Sequence, residues 1–109
     1  MANHLFSLIF LFFIAFQGFS SFSIVDYDQY MNIWNENITL AREYLKEAET
    51  ALNNGDALES CANQRKASEY GLMATSARIS AAEIKDEKNI IPTLQDGLKR
   101  WKAFGDFCS

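Results

Sequence analysis

Histidine is nearly absent. The only one, His4, lies ahead of an apolar N-terminal run. The rest of the chain therefore has no Ser–His or Cys–His nucleophile pair and no His-based zinc set. Proline occurs once, at Pro92, and glycine five times. That excludes a proline-rich linker and a collagen-like repeat. No G-x-G-x-x-G or Walker loop is present, and no EF-hand-like run of aspartates. Cysteine occurs only as Cys61 and Cys108, and two thiols without histidine do not complete a metal site. Carboxylate pairs such as Asp26/Asp28 and Asp86/Glu87 are the remaining source of acid–base chemistry. Their positions suit helix starts and turns. The expectation is a non-enzyme with no cofactor and no metal.

The first segment of the chain is also short of charge. All 24 charged side chains follow residue 23, whereas residues 1–22 hold seven of the nine Phe. Leu5 to Phe16 reads LFSLIFLFFIAF, broken only by Ser7. That length matches the core of a secretory signal and falls short of the roughly 18 residues of a membrane span. Small residues follow at peptidase spacing. Gly18 and Ser20 fit cleavage after Ser20, and Ser21 and Ser23 fit cleavage after Ser23. Residues 1–23 therefore read as a signal peptide and 24–109 as one small domain. The competing reading is an uncleaved anchor from Leu5 to Val25. Secretion changes what the cysteines mean, because an oxidising route lets Cys61 and Cys108 pair. Chain entropy assigns about 4 kcal/mol to a loop of that size. Two free thiols or an intermolecular bridge are the alternatives.

The domain reads as all-α. Tyr27, Met31, Trp34, Ile38, Ala41, Leu45, Ala48 and Leu52 step by four and three, an unbroken heptad seam for one long helix. Asn53-Asn54-Gly55 stops it. Asp56 with Glu59 makes a capping-box-like start to a second helix. Its Ala-rich stripe runs through Cys61, Ala67, Tyr70, Ala74, Ala77, Ala81 and Ile84, widened by Leu58, Leu72 and Ile79. Gly71 costs about 1 kcal/mol in that helix relative to Ala. Residues 85–89 are polar and hold a turn. Pro92 suits the first turn of a third helix, whose seam is Ile91, Leu94, Leu98, Trp101, Gly105 and Cys108. Gly97 and Gly105 predict fraying near its end. The expected fold is an up-down-up three-helix bundle, with Cys61 early in the second helix and Cys108 in the last turn of the third. Antiparallel neighbours bring those ends together, so the two sulfurs can meet. The second helix is too long for the third by roughly 9 Å, so it either stops near Ala81 or overhangs.

Charge is uneven. Residues 24–59 hold eight acids and two bases, and residues 60–109 hold six acids and eight bases. An acidic first helix argues against nucleic acid and anionic membranes as partners. Lys99, Arg100 and Lys102 beside Trp101 form either a basic-aromatic patch or a complement to the helix dipole. Asn37-Ile38-Thr39 is an N-glycosylation sequon on the first helix.

The stretch Ala41 to Cys61, ending Asp56-Ala57-Leu58-Glu59-Ser60-Cys61, resembles the plant pectin methylesterase and invertase inhibitor family. The resemblance covers roughly residues 40–108. It implies a signal peptide, an all-helical bundle, a Cys61–Cys108 bridge between neighbouring helices with Tyr70 between them, and residence in the apoplast or cell wall. It also implies inhibition by covering the substrate cleft of a cell-wall carbohydrate-active enzyme. The family's N-terminal pair of cysteines has no counterpart here, and only Ser109 follows Cys108 where the family continues into another helix. Two function classes follow. One is a secreted, non-enzymatic helical protein acting through protein–protein contact, including self-association through the first-helix seam. The other is the inhibitor. A lipid-binding amphipathic bundle is a third reading.

Overall fold

The computed structural model describes residues 26–108. The signal segment, the alternative anchor and Ser109 lie outside the described residues. Three helices follow one another: α1 (Tyr27–Asn53), α2 (Ala57–Ile84) and α3 (Ile91–Asp106). They run up, down and up, and no strand occurs among the described residues. α2 is the central element, with both α1 and α3 packed on it. No Cα of α1 comes within 8 Å of one in α3.

Local chemistry explains each boundary. Asp26 and Gln29 form a reciprocal capping box. Gln29 N donates to the Asp26 carboxylate at 2.9 Å, and Asp26 N donates to Gln29 Oε1 at 3.1 Å. α1 ends where Gly55 adopts φ 77°. Gly55 N then donates to Leu52 O at 3.0 Å and Asp56 N to Ala51 O at 2.9 Å, a Schellman closure. That closure uses the Asp56 N–H, so the expected capping box at α2 is only half made. Asp56 Oδ1 accepts from Glu59 N at 3.0 Å, while the Glu59 carboxylate instead accepts from Asn63 Nδ2 at 3.3 Å. α2 ends by the same closure, with Asp86 at φ 56° where glycine is usual. Glu87 N donates to Ala82 O at 2.8 Å and Asp86 N to Glu83 O at 3.3 Å. α3 has no side-chain cap at Ile90, and Pro92 occupies its first turn.

α2 runs on to Ile84 rather than stopping near Ala81. The connection then folds back along it, bringing Glu87 to within 3.4 Å of Arg78. This return absorbs the length mismatch between α2 and α3.

The core is made of small residues. The buried apolar side chains are Ala41, Ala48 and Ala51 of α1 and Ala67, Ala74, Ala77, Ala81 and Ala82 of α2. Ser60, Asn63, Ser68 and Thr75 are buried beside them, and Ser60 Oγ ties the pair by donating to Ala48 O at 2.9 Å. No α3 side chain is buried. Among the described residues, no large side chain is fully buried. Alanine faces let the α1 and α2 backbones approach closely, which leaves the larger apolar residues along the edges of the contact.

Three seam expectations are therefore corrected. Leu52 is 63% exposed and Ala51 is buried in its place, because the α1 face turned to α2 drifts off the strict heptad line. Leu58 is 86% exposed and does not widen the apolar face of α2, because in that first turn it is Ser60 that faces α1, buried and bonded to Ala48 O. Ile84 is 49% exposed at the overhanging end. The expected place of Cys108 in the last turn of α3 is corrected too. The helix continues through Gly105 to Asp106, and Cys108 lies in the turn just beyond it.

Candidate binding groove

The α2–α3 contact is a sequence of close approaches at glycine. The Trp101 ring lies directly against the α-carbon of Gly71, where any β-carbon would collide with it. Ser68 occupies the corresponding space at Gly105. Both glycines, read from sequence as weak points, are what lets α3 seat. Three α2 side chains then donate to carbonyls in the last turns of α3 and the turn that follows it. Ser68 Oγ reaches Trp101 O at 2.6 Å, Gln64 Nε2 reaches Phe104 O at 2.8 Å, and Arg65 Nη1 reaches Cys108 O at 2.7 Å. The Phe104 carbonyl is one that the helix end leaves without an intrahelical partner. At the same end Cys61 and Cys108 are disulfide-bonded, with their α-carbons 5.4 Å apart. The expected bridge is present, and neither cysteine is free.

With α1 and α3 both leaning on α2 but not on each other, a groove opens between them. It measures about 420 Å³ and is lined by Leu45 from α1 and Gly97, Arg100, Trp101 and Phe104 from α3. The Trp101 and Phe104 rings meet edge to face at 6.3 Å, a favourable aromatic geometry. Its apolar character extends toward the disulfide end of the bundle by helical spacing. Leu52 follows Leu45 by seven residues and Phe107 follows Phe104 by three, so each continues its predecessor's face. Phe107 is 88% exposed. Beside an alanine core, the protein thus leaves Ile33, Leu52, Leu58, Met73, Ile84 and Phe107 exposed, and most of its other large apolar side chains half-buried.

The cations beside Trp101 are largely paired within their own helix. Arg100 Nε lies 2.8 Å from Asp96 and Lys102 Nζ 3.5 Å from Asp106. These exposed pairs stabilise by little, but they neutralise most of the basic-aromatic patch. Arg100 is the one charged side chain on the groove lining.

The other candidate residues fall elsewhere. Asn37 lies in the middle of α1 and donates from Nδ2 to Ile33 O at 2.8 Å. It is half-buried and lines a separate depression with Tyr30, Ile33, Leu72, Met73, Ser76, Ala77 and Ser80, so a glycan there would leave the α1–α3 groove clear. The carboxylates considered for catalysis act as caps and turns. Asp26 caps α1, and Asp86 and Glu87 close α2. Among the described residues, no cluster of three or more His, Cys, Asp or Glu could hold a metal ion. Among them, too, no helix is long and apolar enough to cross a membrane. The heptad reading missed Tyr44, which stacks on Tyr70 at 5.5 Å across α1 and α2, with Lys66 Nζ 5.4 Å from its ring. Its position three residues after Ala41 and four before Ala48 was the available signal.

No known protein family, curated protein or solved structure matches this chain.

Proposed function

We propose that this is a secreted, non-enzymatic helical protein that acts by protein–protein contact through the groove between α1 and α3. The observation that carries the reading is the open groove lined by Leu45, Gly97, Trp101 and Phe104, with Leu52 and Phe107 exposed further along the same two helix ends. Gly97 to Phe107 spans about 15 Å, roughly three turns of a docked helix. Helix-in-groove recognition uses apolar anchors at this spacing.

The occupant we propose is a second copy of the chain. α1 carries five acids and two bases, and α3 carries three bases and two acids. In a two-fold pair that crosses α1 of one copy over α3 of the other, a helix of net charge −3 faces one of net charge +1, a modest complement because Arg100 and Lys102 are already paired within α3. Light scattering across a concentration series tests this. The proposal expects a dimer that dissociates when Leu52 and Phe107 are both replaced by Ser. Both side chains are mostly exposed, so the fold tolerates the change. A monomer at every concentration overturns it.

The inhibitor reading is supported by one observation, the Cys61–Cys108 bridge between neighbouring helices. It predicts that the purified protein lowers the activity of a pectin methylesterase or an invertase in a one-to-one complex. Unchanged activity across the acidic pH range of the cell wall contradicts it.

A further inference from the structure

We infer that the Cys61–Cys108 disulfide is a redox latch, holding α3 on an α1–α2 hairpin that stays folded when the latch is opened. This goes beyond the proposed function and stands without any partner.

Burial is uneven across the three helices. Among the described residues, every buried apolar side chain belongs to α1 or α2, and α3 contributes none. The polar anchors of α3 are confined to its final turns and the turn beyond, where Gln64 and Ser68 donate to Phe104 O and Trp101 O and Arg65 to Cys108 O. The disulfide closes that same end. Toward its start, α3 offers only the half-buried Ile91, Leu94, Gly97 and Leu98. Undocking α3 returns the freed donors and carbonyls to water, so no orphaned polar group opposes it. The α1–α2 contact keeps its alanine stripe, the Ser60–Ala48 hydrogen bond and the Tyr44–Tyr70 stack.

Both cysteines are only half-buried, which admits a reductant. The chemistry is exchange with a dithiol. One thiolate attacks a sulfur of the bridge to form a mixed disulfide, and the second thiol displaces it. Two electrons and two protons pass to Cys61 and Cys108 as thiols, and the dithiol leaves as its own disulfide. Because Trp101 and Phe104 form one wall of the groove, the latch also decides whether that groove exists.

Hydrogen exchange on the purified full-length chain tests this, at a concentration low enough to keep it monomeric. The chain is measured disulfide-bonded and again after treatment with a small dithiol. The expected result is a loss of protection of about a hundredfold or more across α3, with α1 and the core of α2 changed by less than about tenfold. Retained protection in α3 after reduction overturns the latch. So does loss of protection in all three helices together, and a Cys61→Ser/Cys108→Ser chain that cannot be obtained folded counts with that result. A Trp34→Phe background leaves Trp101 as the one tryptophan. Its emission should move to the red on reduction while most of the helical signal persists. The outcome is independent of the self-association test, because no complex enters the measurement.

Discussion

At the scale of single residues, the informative positions are those where a small or unusual residue is required by its neighbour. Gly71 is the sharpest. In an isolated helix Gly71→Ala would gain about 1 kcal/mol. Here the added methyl meets the Trp101 ring, and overpacking of a fitted contact costs about 1 to 3 kcal/mol. The clash wins, because the rigid fused part of the indole lies directly on the Gly71 α-carbon and its displacement gives up the seat of α3. Gly71→Ala should lower the urea midpoint and red-shift tryptophan emission, and a stabilised protein would refute the close approach. Asp86 makes the opposite case. Its φ of 56° is strained for a residue with a β-carbon. Asp86→Gly should therefore be more stable than Asp86→Ala by about 1 kcal/mol in chemical denaturation. Its ion pair with Lys88 is exposed on both sides and should contribute nothing measurable.

At the scale of the helix, the boundaries were the legible part. The Asn53-Asn54-Gly55 stop, the Asp26 and Asp56 starts and the Pro92 turn all come from chemistry that acts over four residues. Which face is buried was less legible. Ala51 and Leu52 are neighbours, and only the approach angle of α2 decides that the smaller is covered. The meaning of Gly71 and Gly105 was illegible for the same reason. Their partners, Trp101 and Ser68, lie in another helix, and a local pattern reports only the propensity loss. The half-made capping box is a case where two local motifs compete. Asp56 N–H cannot close α1 and also serve Glu59. Asp56→Ala should therefore cost about 1 kcal/mol in thermal or urea unfolding. Glu59→Ala should cost only the weak interaction with Asn63. Equal losses at the two positions would mean that the reciprocal bond exists.

At the scale of the whole molecule, the disulfide and the groove express one design. An alanine core brings helices close but buries little apolar area per residue, so the hydrophobic contribution is small for the chain length. The bridge compensates by restricting the unfolded chain, contributing about 4 kcal/mol in the entropic treatment. The proposed interface draws on the few large apolar side chains left exposed, Leu52 and Phe107 among them. Sequence showed which residues are apolar and that Cys61 and Cys108 could meet. It did not show that α1 and α3 stand apart, because that follows from how both seat on α2. The central claim is that this exposed apolar channel is an interface. Sedimentation equilibrium of the disulfide-bonded protein, beside its Leu52→Ser/Phe107→Ser variant, tests it most directly. The account predicts twice the chain mass for the native protein and a single chain mass for the variant; a single chain mass for both would contradict it.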